Sequence, residues 1–235
     1  MNRFLNLIVT TIIALTAAAV SAQNIDYKVT VQDFTELTIV DGINVYYQCS
    51  ADSAGYACFS CEPSQASHII FDNRGNHLFI QTDAYETAIK GLPSVKIYSS
   101  SLHKAINSGD SLLCIINPAP VATFKAQQIG NGALEILNIE AGTIEAGNMT
   151  GHGRLHLTGK ATKAIINSIG TGPIDATSLE ADEIKCYMLG TGDIDCAPTE
   201  SLRIFGAGKG AVRYHKSPAK ITNLGIGVAV KNESE

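Results

Sequence analysis

Apolar and polar residues alternate through the C-terminal half of the chain, in short runs that each follow a pair of closely spaced glycines. One apolar column lies four residues after the first glycine of each pair: Leu113, Leu134, Leu155, Ile174, Ile194 and Val212. A second lies two residues further on: Ile115, Ile136, Leu157, Ala176, Cys196 and Tyr214. A spacing of two is the period of a β-strand with one buried face, so each run predicts a half-buried strand.

The glycine pairs recur at a nearly constant interval. Their first members are residues 130, 151, 170, 190, 208 and 225, preceded by the degenerate copy Gly109-Asp110-Ser111, so the steps are 21, 21, 19, 20, 18 and 17 residues. A period near twenty indicates stacked coils, whereas the blades of a β-propeller need about twice that length. Glycine suits a corner that is taken once per coil, because it tolerates positive φ and close backbone approach. The sequence therefore predicts an all-β fold, a right-handed parallel β-helix (solenoid) of roughly 20-residue coils.

Residues 23–103 show shorter alternating runs without the glycine repeat. Apolar residues flank a turn in this region: Phe34, Leu37 and Ile39 precede Asp41-Gly42, and Ile43, Val45 and Tyr47 follow it. Such runs predict short strands, and no segment has helical periodicity with caps. We therefore expect one domain in two parts, an N-terminal β lobe over residues 23–103 and the repeated coils over residues 104–235.

The N-terminus has the features of an export signal. Arg3 supplies a positive start, residues 5–20 are apolar, and Val20-Ser21-Ala22 fits a small-residue cleavage site before Gln23. Residues 1–22 are therefore interpreted as a signal peptide, and no later run is apolar enough to predict a transmembrane segment. We expect an exported protein, located in the periplasm, on the outer surface or in the medium.

Charge and composition narrow the classes of partner. The chain has a formal net charge of −5, 21 glycines, no tryptophan and 17% charged residues. Its lysines and arginines form no sequence cluster, so the balance argues against a nucleic-acid partner.

Export makes the six cysteines candidates for disulfides. Cys49 and Cys58 end and begin two strand-like runs, so a cross-strand bridge is one expectation, with Cys61 as the competing partner. Cys186 and Cys196 flank the corner at Gly190 at inward positions. They could form a disulfide or remain two buried free thiols, and the sequence does not choose between these alternatives. The spacing Cys58-x-x-Cys61 has no second Cys or His pair at zinc-finger spacing, so no metal site is predicted.

Several features together resemble a known family. They are the exported N-terminus, the segment Asp41-Gly42-Ile43-Asn44-Val45, the strand Leu78-Phe79-Ile80 and the train of glycine-cornered coils. The combination is similar to the head-GIN domain family of auto-transporter adhesins over about residues 31–230. The resemblance implies a secreted β-helical protein of Gram-negative bacteria. It implies adhesion as a proposed role and supplies no catalytic residues.

The candidate chemistry lies on the outward column between the two apolar ones. It consists of Glu135, His156, Asp175, Asp195 and Arg213, with Asp193 on the adjoining turn. Stacked coils place these side chains about 5 Å apart in a line. Neighbouring carboxylates there suit sugar hydroxyls, Ca²⁺ or an acid–base pair, and the alternative is a solvated ladder in which Arg213 offsets Asp195.

No nucleophile elbow or Cys–His pairing accompanies this column. We therefore expect a non-enzymatic binding protein for a carbohydrate or surface protein, without a cofactor. A polysaccharide lyase or hydrolase is the alternative from another class, because β-helices also carry those activities and the fold alone does not decide. A purely structural envelope protein is the third hypothesis.

Overall fold

A computed structural model describes residues 24–83 and 91–234 of the chain. The predicted signal peptide therefore lies outside the described residues. The fold is all-β, with 65% strand and 2% helix, and it forms a β-solenoid of about six turns. The predicted parallel β-helix is thus confirmed. In the described part of the chain, no helix is long and apolar enough to cross a bilayer.

In the described residues, the elements follow one another as seventeen strands and one short helix. They are β1 (Ile25–Thr30), β2 (Glu36–Val40), β3 (Val45–Cys49), β4 (Tyr56–Cys61), α1 (Pro63–Ala66), β5 (Ile69–Arg74), β6 (His77–Thr82), β7 (Val95–Ser99), β8 (Lys104–Ser108), β9 (Leu112–Ile116), β10 (Val121–Ile129), β11 (Ala133–Thr150), β12 (Arg154–Ser168), β13 (Ile174–Met188), β14 (Ile194–Gly206), β15 (Ala211–Tyr214), β16 (Lys220–Gly225) and β17 (Ala229–Asn232).

The coils stack through parallel pairing of the long strands. Strand β11 pairs with β12, β12 with β13 and β13 with β14, and each of these strands runs around a bend to contribute to two sides of its coil. Both predicted apolar columns point inward and are buried, with Tyr214 half-buried as the exception. The period-two pattern therefore located the core correctly. The apolar face of each strand is buried because this removes apolar surface from water.

The parallel register begins before the glycine repeat. Strand β2 pairs in parallel with β6 and β8, and β3 pairs in parallel with β7 and β9. The sheet therefore crosses the predicted boundary between residues 103 and 104 without a break. Antiparallel strands β1, β4 and β5 complete the N-terminal lobe.

Inside the corners, the core carries a column of polar side chains. Asn107, Gln128, Asn148 and Ser168 are buried at equivalent positions of four coils. Asn148 Nδ2 donates to the backbone oxygens of Gly153, Gly172 and Pro173 at 2.8, 3.0 and 3.2 Å. The amide thus satisfies the oxygens of Gly153 and Gly172, whereas the oxygen of Pro173 also accepts from the backbone N of Leu155 at 3.1 Å.

The predicted disulfide between Cys49 and Cys58 is wrong. Strand β7 lies between their strands, since Lys96 is in register with both Tyr46 and Cys58. Two strand spacings separate the cysteines by about 10 Å even before their offset along the strands, which exceeds the reach of a disulfide. Cys186 and Cys196 are both buried free thiols in the core, where the neighbouring Cys196 and burial raise the pKa of Cys186.

Candidate functional site

The outward residues between the two buried columns form one continuous ladder. In coil-to-coil register it contains Tyr46, Cys114, Glu135, His156, Asp175, Asp195, Arg213 and Lys231. Neighbouring members are about 4.8 Å apart across the strands. The structure thus brings together five of the predicted ligand-binding candidates, and the sixth, Asp193, adjoins the ladder beside Asp195.

The first half of the ladder contains two polar pairs. Arg154 Nη2, from the column two residues upstream, donates to Glu135 Oε1 at 3.2 Å. His156 Nδ1 lies 3.0 Å from Asp175 Oδ2. Asp175 Oδ1 also accepts from the backbone N and the hydroxyl of Thr177, at 3.0 and 2.7 Å. These contacts fix the orientation of the side chains along the face.

The second half is an ion-pair network around Arg213. Its guanidinium donates to Asp193 Oδ2 at 2.5 Å and to Asp195 Oδ2 at 3.1 Å. Asp193 Oδ1 also accepts from the backbone N of Ala211 at 2.8 Å, and His215 Nε2 lies 3.2 Å from Asp195 Oδ1. Each carboxylate of the ladder therefore has a partner within the protein.

Two of these carboxyl groups have lowered pKa values. The backbone N–H of Ala211 lowers the pKa of Asp193, and Arg213 adds to the effect against a smaller cost of burial. Burial alone would raise the pKa of Asp175, but the two hydrogen bonds from Thr177 and the contact with His156 outweigh it and lower the pKa. Both groups are therefore ionised at neutral pH, and neither is the protonated carboxyl that a general acid requires.

We expect the lowered pKa of Asp193 to make the fold sensitive to acid. A carboxyl whose pKa is lower in the folded state contributes stability above its unfolded pKa, and this contribution is lost as the pH falls through the folded pKa. Stability should therefore decline from about pH 5 toward and below the ordinary value of 3.8. Urea unfolding followed by circular dichroism across this range should show a weaker pH dependence in Asp193→Asn than in the unmodified protein.

The control for this experiment is Asp52→Asn. Asp52 is exposed, and within the described residues its carboxylate has no hydrogen bond or ion pair. It should leave the pH dependence unchanged. Identical curves for Asp193→Asn and the unmodified protein would show that the Asp193 interactions do not contribute to folding.

Two open depressions meet at Arg154. One has a volume of about 500 Å³ and is lined by ladder residues, and the other has a volume of about 330 Å³ and is lined by corner residues. We call the joined surface the Arg154 groove. Its polar side chains are Asn44, Asp110, Ser111, Asn131, Glu135, His152, Arg154, His156 and Asp175.

The corner half of the groove is built from the middle residues of successive glycine pairs. Asn131 donates from its backbone N and from Nδ2 to Asp110 Oδ1, at 3.1 and 3.2 Å. The backbone N of His152 in turn donates to Asn131 Oδ1 at 3.1 Å. Asn44 Oδ1, from the segment that resembled the family motif, accepts from the backbone N of Leu112 at 2.9 Å. The side chains are therefore held in a row by bonds to the coil before.

Sequence reasoning missed much of this groove, although the signal was present. Asp110, Asn131 and His152 are the middle residues of three consecutive corners, so the repeat that located the ladder also places them in one column. Arg154 precedes His156 by two residues and so lies on the same side of its strand. Tyr187, eight residues before Asp195 in the sequence, stacks on Phe205 on another side of the coil.

Within residues 24–83 and 91–234, no cluster of three or more His, Cys, Asp or Glu side chains is arranged to hold a metal ion. Arg154 is the most accessible cation of the groove, with 64% of its side chain exposed.

The fold and the groove define an all-β solenoid protein that presents a row of fixed polar side chains on one coil face. Residues 33–218 match the family described as "Putative auto-transporter adhesin, head GIN domain". The chain belongs to this family, as the resemblance in sequence indicated. No curated protein matches the chain.

Solved structures share the fold over almost the whole chain. A protein described as a putative adhesin from Bacteroides fragilis superposes with a TM-score of 0.78 and 23% identity, covering 90% of this chain and 98% of that one. A second such adhesin, from Parabacteroides merdae, gives a TM-score of 0.66, 19% identity and coverages of 90% and 97%. A protein named a putative lipid binding protein, from Parabacteroides distasonis, gives a TM-score of 0.66 and 18% identity, with coverages of 90% and 97%. At these identities the likeness shows the fold alone.

Proposed function

We propose that this protein is an exported, non-enzymatic binding protein that holds a carbohydrate in the Arg154 groove. The observation that carries the proposal is the lining of the groove, where amide, carboxylate, imidazole and guanidinium groups from successive coils surround one open surface. Such groups are donors and acceptors for sugar hydroxyls. A groove that crosses several coils suits an elongated, hydroxylated partner.

The groove retains hydrogen-bonding capacity after its internal contacts are made. Arg154 has five N–H donors, and one hydrogen bond joins it to Glu135. His152 and Asn131 use their backbone N–H groups to join the corner column, and Asn131 adds its side-chain amide. His152 Nδ1 is hydrogen-bonded to the hydroxyl of Thr171, so a ligand can bind Arg154 and His152 Nε2 without breaking the bonds that position them.

The same geometry favours binding over catalysis. A glycoside hydrolase needs one carboxyl group with a raised pKa and a second carboxylate facing it. In the ladder the pKa values of Asp175 and Asp193 are lowered, and Arg213 is engaged by two aspartates. The enzymatic alternative predicts turnover of polyuronates that Asp175→Asn abolishes, and the binding proposal predicts no turnover.

Export follows from the predicted signal peptide, and the family name adds adhesion as a context for binding. We infer a location in the periplasm, on the outer surface or in the medium of a Gram-negative bacterium. The names adhesin and lipid binding protein belong to the structural neighbours. They support a binding role here without identifying the ligand.

The proposal is tested by a glycan array followed by calorimetry with the best ligand. Arg154→Ala should weaken binding by about tenfold to a hundredfold, because a buried contact to a charged group contributes one to a few kcal/mol. Arg203→Ala makes the same charge change on another side of the coil and should leave the affinity unaltered.

Three outcomes would contradict carbohydrate binding at this site. They are an array without any bound glycan, an equal loss of affinity in both variants, and capture of a surface protein that depends on Arg154. Capture of a surface protein that depends on Arg154 would show that the groove is a binding site for a protein and not for a carbohydrate. A protein without any partner in either screen would favour the structural envelope hypothesis.

A further inference from the structure

A second surface lies on a different side of the C-terminal coils from the Arg154 groove. It contains six outward apolar side chains, which we call the apolar patch: Ile169, Tyr187, Leu189, Phe205, Leu224 and Ile226. The exposed fractions of Leu189, Leu224 and Ile226 are 63%, 63% and 77%. Side chains of this kind are usually buried, so a contiguous group in solvent indicates an interaction surface.

The patch is contiguous because its members occupy two adjoining columns. Tyr187 is in register with Phe205, and Phe205 with Leu224. The second column lies at the corner, where the backbone N of Leu189 and that of Ile226 each donate to an oxygen of the coil before. Four coils span about 14 Å in the stacking direction. The corner residues protrude, which explains why their exposure is the highest.

Unpaired cations border the apolar patch. Lys185 and Arg203 are in register with each other and precede Tyr187 and Phe205 by two residues, so they lie on the same side of their strands. Within the described residues, neither makes an ion pair or a hydrogen bond. Lys163 and Lys220 lie in the next column, and the one carboxylate among them is Glu183, in register with Lys163.

This charge distribution differs from that on the side of the ladder. The chain as a whole is acidic, with a formal net charge of −5, and Arg213 on the ladder and Arg154 beside it are both engaged by carboxylates. Cations left free beside exposed aliphatic groups suit a partner that is both anionic and apolar. An anionic lipid surface has these two properties together, with its headgroups outside and its acyl chains beneath.

The shape of the surface separates a lipid bilayer from a sugar. Neither of the depressions that form the Arg154 groove reaches this side. Tyr187 and Phe205 stack on each other with centroids 5.3 Å apart, so that the ring faces between them are not available for a sugar ring. A flat row of strands with protruding Leu189 and Ile226 matches a flat interface into which apolar side chains insert a short distance.

We propose that the apolar patch and its bordering cations dock the protein on an anionic lipid bilayer. Leu189, Leu224 and Ile226 enter the boundary between headgroups and acyl chains, while Lys185 and Arg203 bind the headgroup phosphates. The Arg154 groove, on a different side of the coils, then remains open to its own ligand.

Vesicle cosedimentation tests this docking with the exported protein. Vesicles of phosphatidylcholine containing phosphatidylglycerol as one lipid in three should bind it, and vesicles of phosphatidylcholine alone should not. The double variant Lys185→Gln/Arg203→Gln should bind on the order of twentyfold more weakly. Each lysine or arginine near an anionic surface increases the affinity about fivefold, and the variant removes two of them. Leu189→Ser/Ile226→Ser should weaken binding by about tenfold. Leu189 and Ile226 are exposed, and Lys185 and Arg203 are half-buried without a hydrogen bond or ion pair among the described residues, so the fold should be retained.

Lys96→Gln/Lys231→Gln is the matched control, because it makes the same change in net charge at the two ends of the ladder. It should bind vesicles like the unmodified protein. The proposal is overturned if the anionic vesicles do not bind. It is also overturned if the control loses as much affinity as the Lys185 and Arg203 variant. Association of two copies in solution that Leu189→Ser/Ile226→Ser abolishes, without vesicle binding, would assign the patch to a dimer instead.

Discussion

Replacing Gly172 with alanine should destabilise the protein by at least about 3 kcal/mol, because the new methyl group has no room. A Cβ atom at this position would lie 1.8 Å from the backbone oxygen of Gly153 and 2.7 Å from the backbone carbon of His152. Both atoms belong to the backbone of the preceding coil, which cannot rotate away as a side chain can. Relief requires the two coils to separate at the corner, which breaks hydrogen bonds between them. Urea unfolding at neutral pH measures the effect.

Gly42→Ala provides the comparison. No atom lies within 4 Å of a Cβ placed on Gly42, although this glycine belongs to the segment that resembles the family motif. Its substitution should change the free energy of unfolding by less than about 1 kcal/mol. Equal stabilities for the two variants would mean that the corners of adjacent coils are not in the close contact described.

The same crowding explains why the repeat contains a second glycine. A Cβ on Gly132, Gly192 or Gly210 would lie 2.2, 2.2 or 2.4 Å from a backbone oxygen of the coil before. Positive φ is found at Gly130 and Gly151 but not at these second glycines. At these corners the second glycine is therefore required by the approach of two backbones. Positive φ is found instead at the first glycine of the pairs at Gly130 and Gly151, and at Gly227 in the last pair.

The sequence predicted the parts of the fold that depend on period. Burial of Leu134 and Ile136 follows from alternation, and the register of Glu135 with His156 follows from a repeat of 21 residues. Both are properties of a stacked array whose coils have nearly equal length. The head-GIN family followed from the same repeat together with the segment at residues 41–45.

Pairing between strands that are distant in sequence could not be predicted in this way. Strand β7 separates the strands of Cys49 and Cys58, and nothing in the local pattern shows that it is inserted there. The hydrogen-bond partners of the ladder residues could not be predicted either. Whether Arg154 turns toward Glu135 depends on side-chain rotamers, which the repeat period does not determine. The groove therefore emerged from the structure, although its columns were already present in the repeat.

Asn148→Leu should lower the free energy of unfolding by about 2 to 3 kcal/mol, because it removes the amide on which the oxygens of Gly153 and Gly172 depend for a hydrogen bond. Leucine has nearly the same size, so the loss reflects unpaired carbonyl groups rather than a cavity. The change also removes Asn148 Oδ1, which is buried without a hydrogen-bond partner among the described residues, and this offsets part of the cost.

The next two coils supply a graded control for Asn148→Leu, measured by urea unfolding under the same conditions. Ser168 occupies the equivalent position and donates one bond, to the oxygen of Gly192 at 3.0 Å, so Ser168→Ala should cost about 1 kcal/mol. Met188, in register with Ser168, has no donor to lose, and Met188→Leu should cost less than about 1.5 kcal/mol through repacking alone. Packing changes are small at all three positions. We therefore expect the loss in free energy of unfolding to be largest at Asn148, smaller at Ser168 and smallest at Met188, following the number of carbonyl groups left unpaired. A loss at Met188 as large as that at Asn148 would attribute the stability of the corners to packing and not to the buried polar column.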